Sequence, residues 1–181
     1  AVLRACRKDG STLWTEVNIA PVKDAAGTVT HFVVVHSDLT EKRRYESELE
    51  YQATHDALTG LVNDKVVADR LAQEMASAAR HKKSVWVILV DLDRFKFVND
   101  SVGHLVGNQC LQQIATRLAN VIRPEDIVAR LRGDEFMLVL TERGDGRLGS
   151  PVLDRIMEAI ALPVIVETQE FFLTGSLGVA C

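Results

Sequence analysis

Strict alternation opens the chain. From Leu13 to Ile19, Leu13, Thr15, Val17 and Ile19 fall on one side and Trp14, Glu16 and Asn18 on the other, the period-two pattern of a half-buried strand. Asp9-Gly10 before it and the cluster Lys23 to Gly27 after it carry turn chemistry, and a β-branched run from Val29 to Val35 follows. Residues 1–37 are therefore predicted to form a three-stranded antiparallel meander. So short a meander buries little apolar surface, which implies that it belongs to a larger sheet.

From Asp38 to about Thr54 the pattern turns polar and charge-dense, without Gly or Pro. Asp38 or Thr40 can cap a helix here, and Tyr45, Leu49 and Ala53 form one stripe at i, i+4 and i+8. A stripe this narrow suits a linker helix pairing with a copy of itself. A solvated connector fits the same pattern equally well.

After Asp56 the periods alternate. Helical spacing over Asp64 to His81 puts Val67, Leu71, Met75 and Ala78 on one face. The run Val85 to Leu92 is apolar without alternation, so it is expected to be a central strand buried on both sides. A helix from Leu105 to Ile122 comes next, then strands Ile127 to Leu131 and Glu135 to Leu140 around a turn at Arg132-Gly133-Asp134. Ser150-Pro151 reads as a cap and first helical proline, opening a helix to Ala161. Val164 to Glu167 and Phe171 to Val179 are expected to pair as a hairpin. The order αβαββαββ predicts an α+β fold with an antiparallel hairpin inside its sheet. Neither GxxxxGK[ST] nor GxGxxG occurs, which excludes the doubly wound nucleotide folds.

Composition narrows the function classes. A net charge of −4 with no basic stripe argues against duplex nucleic acid as a partner. The longest apolar run, Val85 to Val90, is too short to span a bilayer, and no signal segment opens the chain, so a cytoplasmic setting without membrane contact by this segment is expected. Three distant cysteines, Cys6, Cys110 and Cys181, lack metal-ligand spacing and are expected to be reduced.

The chemistry gathers at strand ends. Asp91 and Asp93, two residues apart, are expected to point the same way at the end of the apolar strand. Asp134 and Glu135 lie at the tip of the tight hairpin. If the two strands are neighbours, Asp91 and Asp134 converge on an oxygen-rich site suited to Mg²⁺ or Mn²⁺. Acidic strand ends are also common in proteins that bind no metal, so the pattern alone leaves both possibilities open.

Three segments now carry a resemblance: HDALTGLVN (55–63), DLDRFKFVNDSVGH (91–104) and LRGDEF (131–136). In that order and spacing they resemble the signatures of GGDEF diguanylate cyclase domains. The resemblance implies a ferredoxin-like, palm-type sheet that joins two GTP into cyclic di-GMP, with two subunits each presenting one GTP. It makes Asp91 and Asp134 metal ligands with the Leu92 carbonyl assisting, and Asp134 and Glu135 the catalytic acids of the signature. Phe95 and Lys96 fall where the family wraps the phosphates, Asn99 and Asn108 where it reads guanine; for Phe95 a core aromatic is an equal alternative. His55 and His104 read as structural or capping. Arg123-Pro-Glu-Asp126 resembles the RxxD inhibitory site at which the family binds cyclic di-GMP; elsewhere such a tetrapeptide is usually a solvated loop. Upstream, RKDGSTLW and HFVVVHSDLTEKR resemble the end of a PAS domain, with Asp38-Leu39-Thr40 as its exit. The implied divisions are residues 1–38 for the PAS part, 39–55 for a signalling helix and 56–181 for the GGDEF domain.

Departures from the family pattern bear on activity. Arg132 replaces the first glycine of the signature and is expected to intrude on nucleotide space, and Asn108 replaces an aspartate that accepts from guanine. Val62 and Asp64 replace the usual proline and arginine of LPNR. The family's last, phosphate-binding helix is expected beyond Cys181, so these residues alone are not expected to turn over. Two readings follow: a cyclase of reduced activity, dimeric through the linker helix and PAS part, or an inactive module that senses GTP or cyclic di-GMP and governs a downstream domain such as an EAL phosphodiesterase. An adhesive role for Arg132-Gly133-Asp134 is set aside, since the tripeptide lies inside the acidic hairpin.

Overall fold

The computed structural model describes residues 1–141 and 150–181. The chain divides into two compact units, Ala1–Ala53 and Thr54–Cys181. In the first unit, β1 (Val2–Cys6), β2 (Thr12–Lys23) and β3 (Val29–Asp38) form the expected antiparallel meander, in the order β1-β2-β3. Both strands of the second pair run longer than their apolar patterns, because backbone pairing continues past the point where side chains alternate. Thr15 is buried as the alternation requires, whereas Ile19, on the same side, is exposed. Asp38 ends the sheet and starts the helix: its carboxylate accepts from the Thr40 N–H at 2.8 Å and from Arg7 at 2.6 Å. Helix α1 (Thr40–Thr54) buries no residue, and Tyr45 and Leu49 of its stripe are exposed.

The second unit is built on one antiparallel sheet, β5-β6-β4-β9, of strands β4 (Val85–Leu92), β5 (Ile127–Arg132), β6 (Glu135–Thr141) and β9 (Gly175–Ala180). Helix α2 (Asp64–His81) begins at Asn63, whose side chain accepts from the Val66 N–H. It covers one face of β5 and β6 through Val67, Ala129 and Val139. The larger core lies on the other face. There α4 (His104–Val121) and α5 (Ser150–Ala161) pack Leu111, Ile114, Leu118, Ile156 and Ile160 against Ile88, Val90, Leu92, Phe136 and Leu138. Arg117 ties the two helices' ends together, donating to the carbonyls of Ala159, Leu162 and Pro163 at 3.3, 2.6 and 2.7 Å. The side chain of Ser150, expected as a cap, falls outside the described residues. Among the described residues no helix is long and apolar enough to cross a membrane.

Three expectations are corrected. Strand β4 is central but not buried on both sides: Ile88, Val90 and Leu92 face the core, while Leu89 on the opposite face is 46% exposed because α2 does not extend over it. A helix that no sequence signal announced, α3 (Phe95–Val102), stands between β4 and α4. The C-terminal hairpin is shorter than expected, pairing β7 (Val164–Val166) with β8 (Gln169–Phe171), and β9 leaves it to bond alongside β4.

Candidate functional site

The site is laid out by the register of β4 against β6, which sets Asp91 opposite Glu135. The turn between β5 and β6 needs Gly133 in the left-handed region, φ +52°, with a register shift between Arg130 and Arg132. The Leu92 N–H reaches the Asp134 carbonyl at 3.4 Å, so the hairpin tip and the end of β4 are in contact. Asp91 and Glu135 open onto a cavity of about 570 Å³ on the uncovered side of the sheet, lined in its apolar part by Leu89, Leu131, Met137 and Leu177.

The hairpin tip is held by a cation that sequence reasoning passed over. Arg130, on β5, donates through Nε and Nη2 to the Gly133 carbonyl at 3.0 and 2.7 Å, and through Nη1 to Asp56 at 2.9 Å. Asp56 also accepts from the Thr59 N–H and hydroxyl at 2.9 and 2.6 Å. Burial pushes the Asp56 carboxyl up, but bonds from Thr59 and Arg130 outweigh it and hold it below the usual carboxylate range. The HDALTGLVN loop is thus bound to the acidic turn. An arginine within an apolar strand, one turn before two carboxylates, was the available signal, since a charge at such a position must be paired.

Asp91 and Asp93 diverge. Asp93 lies past the strand end and accepts from the hydroxyls of Thr174 and Ser176 at 2.6 and 2.7 Å, which lower its pKa. Asp91 is pushed above the ordinary carboxylate value, first by desolvation and then by the charges of Asp134, Glu135 and Asp93. Arg132 does not project alone: its Nε donates to Glu135 at 2.9 Å, and its side chain is 83% exposed. Among the described residues, no cationic side chain pairs with Asp91 or Asp134.

The like charges that help raise the Asp91 carboxyl are of the kind a bound divalent cation would relieve. Among the described residues no three His, Cys, Asp or Glu side chains are gathered as a metal cluster. The set inferred from sequence needs two carboxylates, Asp91 and Asp134, and the Leu92 carbonyl.

The remaining candidates lie around α3 and α4. Phe95 is buried in the core, where its ring serves packing. Lys96 is exposed. Asn99 rests against Gly107 of α4, where an added Cβ would come 2.0 Å from its Oδ1, and exposed Asn108 is the next residue. Asp126 accepts from the Arg123 N–H at 3.2 Å and the Thr141 N–H at 3.4 Å, shaping its own loop. His55 bonds through Nδ1 with the Thr54 hydroxyl and bridges to Val62, while His104 starts α4 and is exposed.

An antiparallel α+β domain with an acidic hairpin against an acidic strand end thus follows a separate three-stranded sheet. The sequence profile described as "Diguanylate cyclase, GGDEF domain" matches residues 53–181, and a PAS domain profile matches residues 2–41. The chain belongs to the GGDEF diguanylate cyclase family, with part of a PAS domain ahead of the GGDEF domain. It is 38% identical over 149 residues to an uncharacterized signaling protein of Caulobacter vibrioides, a match covering 82% of this chain and 18% of that protein. It is 36% identical over 141 residues to the probable diguanylate cyclase DgcE of Escherichia coli K12, covering 78% of this chain and 13% of the relative. A crystal structure of a sensory box/GGDEF family protein from Caulobacter crescentus CB15 superposes with a TM-score of 0.67 at 38% identity, over 70% of this chain and 82% of that one. The chain spans less than a fifth of these two curated relatives. Domains of this family bind GTP and cyclic di-GMP and generally use a divalent metal.

Proposed function

We propose that residues 56–181 form a diguanylate-cyclase-type domain that binds GTP with Mg²⁺ or Mn²⁺, with activity lowered by Arg132 and Asn108. The observation that carries this reading is the approach of Asp134 and Glu135 to Asp91, with a raised Asp91 carboxyl and no cationic partner for Asp91 or Asp134 among the described residues. Asp91, Asp134 and the Leu92 carbonyl would hold the metal, which when bound supplies charge stabilisation at the phosphates. Lys96 and the main chain at Phe95 orient the triphosphate. Asn99 and Asn108 face the base. Glu135 stands beside the metal ligands, where it can accept a proton from the attacking hydroxyl. Residues 1–38 act as a PAS part and 39–55 as a signalling helix, through which two chains pair in a cytoplasmic homodimer.

The Arg132–Glu135 bond favours reduced activity by a different route from steric intrusion. The guanidinium partly neutralises Glu135 and engages the carboxylate that would otherwise accept the proton. The second reading, a sensing module without turnover, is favoured by the same bond, and Arg123 with Asp126 would be its cyclic di-GMP site.

The test is calorimetry with GTP and Mg²⁺, together with chromatography of products. Asp91→Asn and Asp134→Asn should each weaken nucleotide binding by about tenfold or more without loss of fold, tenfold being ~1.4 kcal/mol. Product formation is compared in a protein that also carries the family's last, phosphate-binding helix, where Arg132→Gly should raise cyclic di-GMP formation. Binding unchanged in both aspartate variants would refute the site. Binding without product in the parent and in Arg132→Gly would favour the sensing module.

A further inference from the structure

Arg132 carries an inference that rests on the GTP reading above and adds a residue to its binding site. A side chain that only blocked the nucleotide would be packed in place. Arg132 is not: its side chain is 83% exposed, and its one bond among the described residues runs from Nε to Glu135 at 2.9 Å. Both η nitrogens are unspent among the described residues. Arg130 shows the contrast. It is only 12% exposed and has committed Nε and both η nitrogens to Gly133 and Asp56, so it has little left to offer a ligand. Arg132, Asp91 and Glu135 line one cavity on the uncovered side of the sheet. An unspent guanidinium therefore shares a cavity with the carboxylate read as a metal ligand.

Geometry and magnitude decide between a blocking and a binding role. A guanidinium is a rigid fork, and with Nε turned to a carboxylate the edge between its two η nitrogens still fits two oxygens of a phosphate. The Glu135 bond and a phosphate can thus be held together. An ion pair this exposed stabilises little and is screened by salt, so it does not fix the side chain in a ligand's path. A triphosphate carries more charge than one carboxylate and meets the fork with two charge-assisted bonds. On entering the cavity it draws Arg132 toward itself rather than being turned away.

We propose that Arg132 is a phosphate-binding residue, which grips the triphosphate of the bound nucleotide through its η nitrogens while Nε stays on Glu135. One side chain then acts in two directions. It tightens the hold on GTP, and through Glu135 it slows the proton transfer, so the site keeps nucleotide more readily than it converts it.

Calorimetry of the full chain with Mg²⁺ tests this, with a non-hydrolysable GTP analogue and with inorganic tripolyphosphate, in the parent and in Arg132→Gln, Arg132→Gly and Arg132→Lys. The position is exposed, so the variants are expected to fold, which circular dichroism checks. Arg132→Gln should weaken both ligands by about tenfold or more, the loss of one charge-assisted contact. Arg132→Gly should do the same even though it removes bulk. Arg132→Lys keeps the charge without the fork and should recover only part of the loss. Tripolyphosphate has no base, so a similar loss for both ligands assigns the contact to phosphate. Binding in Arg132→Gln and Arg132→Gly as tight as the parent's, or tighter, overturns the proposal and leaves Arg132 an obstruction. So does a loss confined to the GTP analogue. The aspartate variants keep the two readings apart: if Asp91→Asn weakens binding while the Arg132 variants do not, only this inference falls. If the parent binds neither ligand, the GTP reading fails and this inference with it.

Discussion

Replacing Asp56 by alanine should destabilise the GGDEF unit by about 2–3 kcal/mol. The substitution removes the counter-charge of Arg130, a side chain only 12% exposed, and one bond of 2.9 Å. A hydrogen bond to a charged group is worth roughly 1.5–3 kcal/mol. The Thr59 N–H and hydroxyl lose an acceptor as well, though solvent replaces part of it because Asp56 is 26% exposed. Arg130 keeps its two bonds to the Gly133 carbonyl, which caps the loss below that of a fully stranded buried ion, roughly 3–5 kcal/mol. Against a typical total of ~5–15 kcal/mol the loss is large, and it corresponds to a fall in Tm of roughly 5–10 °C. Asp56→Asn keeps an acceptor without the charge and should cost about half as much. Urea unfolding followed by Trp86 fluorescence measures the effect, on a Trp14→Phe background so that the N-terminal sheet contributes no signal. A loss under about 0.5 kcal/mol in Asp56→Ala would refute the reasoning, since Arg130 would then be satisfied by Gly133 and water alone.

Two further outcomes follow from the same groups. Because the folded Asp56 carboxyl lies below its unfolded value, its contribution is complete above the unfolded pKa and is lost as pH falls through the folded one; acid titration of stability should therefore show a drop below about pH 4 in the parent that Asp56→Asn lacks. Thr174→Val with Ser176→Ala should raise the Asp93 pKa by removing the bonds that lower it; carboxyl NMR titration checks this, and an unmoved value would mean that Arg94 is the dominant influence.

How far the sequence discloses this fold depends on where each element's information lies. Strand β4 and helix α4 are legible because many apolar side chains repeat at one period. Helix α3 is not, because its start lacks a capping side chain: Arg94 precedes it at φ +54° and makes no side-chain cap bond. Strand β9 reads as half of a local hairpin, since its true partner, β4, lies far away in sequence and local pattern cannot choose between them. The exposed face of Leu89 has the same origin, as alternation vanishes when the uncovered side of a strand is itself apolar. For the site, the acidic residues announce themselves by type and position, whereas Arg130 does not. Its partners are a main-chain carbonyl and an aspartate 74 residues away, and neither leaves a trace in local pattern.

That long reach has a kinetic consequence. The β5–β6 hairpin closes over a few residues and can form within microseconds. Arg130, which holds the turn carbonyl locally, gains its other bond only when the loop at Asp56 has docked, and Asp93 finds its hydroxyls only when Thr174 and Ser176 arrive from 81 and 83 residues away. Contacts of such separation form late, because the intervening chain must be ordered first. The bonds that brace the acidic cluster from outside the β4–β6 pair are therefore expected to be among the last contacts to form in folding.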